Sequence, residues 1–183
     1  MKYSKPIKSV FTLVIIMLLS SCASIPDKAT PVENFDLSRY LGTWYEVARF
    51  DFRFEKDLDN TMAQYSLDDK GNVIVVNSGY NYVKKEWTSA EGKAKFRGED
   101  SVAALKVSFF GPFYSGYNVI ALDEDYQYAL VAGKDLSYLW ILSREKSIPD
   151  AIKTEYLKVA EAIGYDTSDL IWVEHNKQSP FDE

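Results

Sequence analysis

Few side chains in this sequence are of the kinds that carry chemistry, and their placement restricts what they can do. His175 is the only histidine and Cys22 the only cysteine. A histidine-based triad or multi-histidine metal site is thereby excluded, and no Cys or His cluster offers ligand spacing. No glycine-rich phosphate loop follows a strand. Carboxylates are plentiful, but Asp68-Asp69 and Asp123-Glu124-Asp125 fall in turn-forming stretches, where solvation is their ordinary fate. Glu46 is the exception. Strand alternation puts it on one face with Trp44, pointing inward, where a carboxylate must find a partner or have its pKa raised by desolvation. A satisfied structural carboxylate and a general base both fit that placement.

Cys22 stands where an export signal ends. Lys2, Lys5 and Lys8 precede an uncharged run from Ser9 to Ser21 with an apolar core, Val10 to Leu19. This basic, then apolar, then small order is that of a signal peptide, and the run is short of the roughly 20 apolar residues of a membrane span. Leu19-Ser20-Ser21-Cys22 resembles the lipobox of bacterial lipoproteins, which implies removal of residues 1–21 and acylation of Cys22. Two or more acyl chains make such anchoring stable. Ala23 replaces the aspartate that commonly retains lipoproteins at the inner membrane, so the expected location is the outer membrane of a Gram-negative bacterium, periplasmic face.

The formal net charge is −6, and the signal segment takes three lysines and no acid with it. A body this acidic is not expected to seek nucleic acid or anionic lipid surfaces. What remains after the signal is the size of one domain with a full core. Residues 22–34 read as a lipidated flexible tether, 35–175 as the folded domain and 176–183 as a loose tail.

The elements follow from period and punctuation. Asp36 to Leu41 suggests a short helical turn plugging one end of a sheet, with Gly42 switching the backbone into a first strand that runs from Trp44 to Phe50. After a loop from Arg53 to Asn60, runs of period-2 alternation separated by turns give strands at 61–67, 72–80, 85–96 (Gly92 as a bulge), 102–110, 116–122, 126–132 and 138–143. Eight strands joined by tight turns predict an all-β sandwich or an up-and-down antiparallel barrel. Ser147 is a plausible N-cap for a helix in which Ile152, Tyr156, Val159, Ala160 and Ile163 form one apolar stripe, ended by Gly164 and packed outside the sheet. Leu170 to Glu174 reads as a last short strand.

Eight strands and one helix, with Gly42-Thr43-Trp44 on the first strand, Asp125-Tyr126 between the sixth and seventh, and Arg144 ending the eighth, resemble the lipocalin family, and within it the bacterial outer-membrane lipoproteins. The resemblance runs from Phe35 to Glu174. It implies that Trp44 stands inside the closed end of the barrel with Arg144 packed across it, a contact worth about 0.5 to 2 kcal/mol. Gly42, Trp44, Asp125, Tyr126 and Arg144 are then structural.

An eight-stranded barrel can be filled by side chains or hold one small ligand. Strand parity and the resemblance together give the candidate lining: Ala48 and Phe50; Ala63 and Tyr65; Tyr117 and Val119; Ala129 and Val131; Tyr138, Trp140 and Leu142. A slip at a bulge would reverse a whole strand. The resemblance implies a non-enzymatic carrier of fatty acid or lysophospholipid, serving envelope maintenance or stress, without cofactor or metal, as a monomer or homodimer. An isomerase or epoxide-active enzyme on a lipid or carotenoid, and a structural envelope protein with a filled barrel, stay open as alternatives.

Overall fold

The computed structural model describes residues 24–181; the export signal and Cys22 lie outside the described residues. A short α1 (Leu37–Tyr40) precedes β1 (Gly42–Arg49), β2 (Leu58–Leu67), β3 (Val73–Asn81), β4 (Glu86–Phe96), β5 (Ala104–Phe110), β6 (Phe113–Leu122), β7 (Tyr128–Ala132) and β8 (Leu139–Ser143). Then come α2 (Asp150–Ile163) and a two-residue β9 (Ile171–Trp172). From β1 to β8 each strand pairs antiparallel with the next, and β1 pairs with both β2 and β8, which closes the sheet into a barrel, while β9 adds to β1. One end is floored by α1 and the turns 68–72, 97–103 and 123–127; the other is ringed by the loops 50–57, 82–85, 111–112 and 133–138.

Two apolar cores result, one inside the barrel and one beneath α2. Inward residues such as Trp44, Tyr65, Val75, Leu105, Val119 and Val131 form the first. Val47, Ala48, Phe50, Leu130 and Ile141 form the second with Tyr156 and Ala160 of α2. Tyr156 donates to the Tyr128 carbonyl at 2.8 Å, which satisfies its hydroxyl at the helix–sheet boundary. Gly164 ends α2 at φ +119° with its N–H on the Ala160 and Glu161 carbonyls, a left-handed cap that glycine adopts without steric cost.

Several expectations are corrected. Ser147 is not the N-cap: Pro149 occupies that position without a side-chain bond, and proline's fixed φ suits a helix start. Gly92 is no bulge, since β3 and β4 pair without a shift from Val73–Ala94 to Asn81–Glu86. A Cβ there would lie 2.8 Å from the Phe109 ring and 2.9 Å from the Ser108 carbonyl oxygen, so the residue is small because β5 approaches it. The seventh strand starts at Tyr128 because Tyr126 takes φ +58° in the turn.

Residues 24–34, read as a loose tether, run along the wall: Val32 N–H meets the Val119 carbonyl at 2.9 Å, and Ala103 N–H meets the Val32 carbonyl at 2.9 Å. The tail also packs, with Lys177 N–H on Asn60 Oδ1 at 2.8 Å and Phe181 edge-on to Trp87. β9 enters where β1 and β2 splay, with the N–H of Val173 just after it on the Val47 carbonyl and the Glu174 carbonyl accepting from Asn60 N–H.

Candidate functional site

The floor is built around Trp44. Its indole Nε1 donates to the Tyr40 carbonyl at 2.8 Å, and the Arg144 guanidinium lies 3.9 Å above its ring centroid. Arg144 also donates to the carbonyls of Thr43 at 2.7 Å, Arg39 at 2.8 Å and Tyr126 at 3.2 Å, so one side chain ties α1, β1 and the 123–127 turn together. Gly42 takes φ +93°, and a Cβ on it would meet Arg144 Nη1 at 3.5 Å. Tyr126 accepts the Asp36 N–H at 2.8 Å and lies beneath Arg39, while Asp125 is exposed in the turn.

Above the floor three tyrosines meet. Tyr117 Oη lies 2.7 Å from Tyr40 Oη and accepts from Tyr65 Oη at 2.8 Å. Burial pushes all three phenols above their usual range, so they stay neutral and serve as a polar layer within an apolar core.

The next layer is charged. Arg49 is 1% exposed; its Nε is 3.2 Å from Glu55 Oε2 and 4.0 Å from Glu46 Oε2, and its Nη2 donates to the carbonyls of Glu55 and Leu58. Thr61 donates to Glu46 Oε2 at 2.7 Å, and Trp140 Nε1 donates to Glu55 Oε2 at 3.3 Å. Burial raises the pKa of both carboxyls against the pull of Arg49, and Glu55 is raised further by Glu46 beside it. Glu55 belongs to the first mouth loop, so this cluster fastens that loop over the opening, with Phe52 edge-on to Tyr138 and Trp140. Glu46 is thus a paired carboxylate. His175, from the C-terminal segment, contacts the Glu46 carbonyl at 2.8 Å, on the barrel wall.

Of the expected lining, Ala63, Tyr65, Tyr117, Val119, Ala129, Val131, Trp140 and Leu142 face the interior, and Tyr138 stacks on Trp140 at the rim, 6.3 Å between centroids. Ala48 and Phe50 do not; they lie outside, beneath α2. The reason is a register shift on β1: Glu46 opposes Leu142, but Ala48 opposes Ile141 and Arg49 opposes Trp140. Directly opposed residues share a face, so after Val47 the parity reverses and Arg49 turns inward in place of Ala48. Sequence reasoning missed Arg49, Glu55 and Tyr40. The signal was present as Glu46-Val47-Ala48-Arg49, two opposite charges in a strand otherwise fit for burial.

Within the interior Trp44, Tyr40, Val75, Val119 and Val131 are buried, whereas Phe109 and Trp140 toward the mouth, Tyr117 between, and Phe96 and Leu122 at the floor edge are partly exposed. β4 pairs with β5 only from Lys93 to Phe96, and Ala90, inward by its opposition to Asn77 and Ala63, is exposed where the two strands part. The buried polar atoms without a hydrogen-bond partner among the described residues include Arg49 Nη1 and Asn77 Oδ1 in this region. Two surface hollows lie elsewhere, flanking α1 at the floor. Among the described residues no cluster of three His, Cys, Asp or Glu side chains could hold a metal ion, and no helix is long and apolar enough to cross a membrane.

Comparison with known proteins agrees with this architecture. A family profile described as a lipocalin-like domain matches residues 35–175. The outer membrane lipoprotein Blc of Citrobacter freundii is 52% identical over 168 residues, 92% of this chain and 95% of the relative. That of Escherichia coli K12 is 53% identical over 169 residues, 92% and 96% of the two chains. Among solved structures, the cockroach allergen Per a 4 superposes with a TM-score of 0.65 at 26% identity, over 82% of this chain and 95% of the allergen.

Proposed function

The chain belongs to the lipocalin family, and on that premise we propose that it carries one elongated apolar ligand, a fatty acid or a lysophospholipid, in the mouth half of its barrel. Its kinship with the Blc lipoproteins, 52% identity over 92% of the chain, makes it an outer-membrane lipoprotein of a Gram-negative bacterium. Acylated Cys22 is the proposed anchor, and the work is that of a binding protein in envelope maintenance or stress.

The observation that carries the ligand reading is the pair of unpartnered polar atoms buried inside the barrel, Arg49 Nη1 and Asn77 Oδ1, below an inward face left exposed at Ala90 where β4 and β5 part. A barrel filled by its own side chains would satisfy both. An acyl chain of about fifteen methylenes, at about 0.8 kcal/mol each, has roughly 12 kcal/mol of transfer free energy before the costs of ordering and association. Few polar contacts are then needed. Arg49 Nη1 and Asn77 Oδ1, both unpartnered, are available to an ester or hydroxyl group, and the head group would lie at the mouth beneath the 50–57 loop.

Native mass spectrometry of the delipidated protein mixed with a phospholipid and fatty-acid extract tests this. One unaltered lipid per chain is expected. Chemically altered lipid would make the protein an enzyme on this scaffold, and no adduct would make the barrel a filled structural element.

A further inference from the structure

We propose that the open end of the barrel is a membrane-docking surface, seated on the phospholipid leaflet beside the anchor, so that the mouth and the bilayer meet directly. The anchor half of this inference rests on the acylation of Cys22 proposed above; the docking half rests on the rim.

The rim is apolar in a way the rest of the surface is not. Phe54, Tyr82, Val83, Phe110, Phe113 and Leu136 are 59, 51, 64, 63, 79 and 45% exposed, and between them they lie in or border all four mouth loops. At the floor end the one exposed large hydrophobic residue among the described residues is Leu67. Phe54 and Phe110 touch, with centroids 5.7 Å apart, so loops on opposite sides of the mouth share one patch. Exposed apolar groups gathered in this way mark a contact surface, and aromatic rings are favoured at the headgroup level of a bilayer.

Charge is segregated along the same axis. The floor turns carry Asp68-Asp69, Glu99-Asp100 and Asp123-Glu124-Asp125 against Lys70 and Arg97, whereas the mouth loops carry Arg53, Lys56, Lys84, Lys85 and Lys134 against Asp51, Glu55, Asp57 and Asp135. Arg53 lies over the Phe54 ring, and Lys106 of β5 lies over Tyr114. Such cations extend to phosphates while their stems stay on apolar surface. The acidic balance of the whole chain therefore does not describe the mouth, which alone is suited to a phospholipid surface.

Chain geometry supplies the third argument. Ser24 is pinned to the wall, its carbonyl accepting from Asn118 Nδ2 and its hydroxyl from Nη1 of Arg97, whose long side chain reaches up from the 97–103 floor turn, both at 2.9 Å. Asn118 Nδ2 also reaches the carbonyls of Ala132 and Gly133 at the mouth end of β7. The Ser24 carbonyl occupies the space a Cβ on Gly116 would need, and Gly116 is three residues, about 10 Å of strand, from Phe113. Cys22 precedes Ser24 by two residues, a reach of at most about 7 Å. Acyl chains on Cys22 would therefore enter the leaflet within about 20 Å of the rim, too close for the protein to stand off from the membrane. A ligand could then pass between leaflet and barrel without crossing water.

The test uses the acylated protein in vesicles of phosphatidylethanolamine and phosphatidylglycerol, with an environment-sensitive dye on Phe113→Cys or on Leu67→Cys. Both positions are exposed, and Cys22 is consumed by the anchor. Blue-shifted emission and quenching by doxyl-labelled lipid at position 113, with water-like emission at 67, are expected. Equal signals at both ends, or quenching at 67 alone, would overturn the proposal. So would a dye at 113 that is buried without vesicles in a concentration-dependent way, which would mark a second copy as the occupant. Intact mass reads acylation separately. Unacylated protein that still buries the dye at 113 in vesicles supports docking and removes the anchor; unacylated protein with both dyes in water overturns both.

Discussion

Arg49 at the end of β1 and Glu55 in the first mouth loop are joined twice, by an ion pair of 3.2 Å between Nε and Oε2 and by a 2.8 Å bond from Nη2 to the Glu55 carbonyl. One buried cation thus fixes both the side chain and the backbone of the loop that overhangs the opening. Arg49→Met would leave Glu46 and Glu55 buried without their cation, a kind of change that costs about 3 to 5 kcal/mol. Urea unfolding should show a loss of that order, with Glu55→Gln costing less because the amide can still accept from Trp140.

The same cluster sets a pH dependence. Burial, and for Glu55 the neighbouring Glu46, raise the folded-state pKa of both carboxyls above their unfolded value. Groups shifted upward contribute stability that is complete below the unfolded pKa and lost as pH rises through the folded pKa. The loop should therefore be held more firmly below the ordinary carboxyl range than above the raised folded-state pKa. Hydrogen exchange of residues 50–57 measured across that window should speed up with pH beyond the intrinsic rate, and Glu55→Gln should flatten the excess.

At the floor, Arg144→Lys should lose the stacking on Trp44 and at least two of three carbonyl bonds. A cation on a ring and hydrogen bonds from a charged donor together are worth about 2 to 4 kcal/mol. Melting should fall accordingly while lipid affinity at the far end of the barrel is unchanged. An equal loss of affinity would mean that the floor touches ligand.

Gly92→Ala tests the close approach of β5. The added methyl would stand 2.9 Å from a backbone oxygen as well as against the Phe109 ring, and overpacking of this kind costs about 1 to 3 kcal/mol. A thermal melt of the variant should show it, whereas Gly98→Ala, with nothing within 4 Å, should be near neutral.

Much of the fold could be read from residues in order. Gly42 and Trp44, the turns after Leu67 and Leu122, and the stripe ending at Gly164 each depend on local backbone rules, and each element formed there, with β7 starting two residues later and α2 capped by Pro149 in place of Ser147. The interior was readable on strands that keep their parity, such as Tyr117 and Val119 or Trp140 and Leu142. It was not readable past Val47, because a register shift is a property of the pairing with β8 and leaves no mark in β1 alone. The opposite charges of Glu46 and Arg49 could be read in β1, but their meeting with Glu55 could not, because it forms only once the loop has folded back. The 24–34 segment was misjudged because its polar composition resembles a linker, while its order comes from carbonyls of Val119 and side chains of Arg97 and Asn118 that composition cannot reveal.

The carrier reading turns on whether a lipid chain enters the mouth half of the barrel, and quenching of Trp140 by a brominated fatty acid measures this directly. Trp140 faces the interior beside Arg49, while Trp44 is sealed in the floor. Saturable quenching with one equivalent of ligand, largely abolished in Trp140→Phe, is the expected result. Absence of saturable quenching, or quenching undiminished in Trp140→Phe, would contradict a ligand in the mouth half of the barrel.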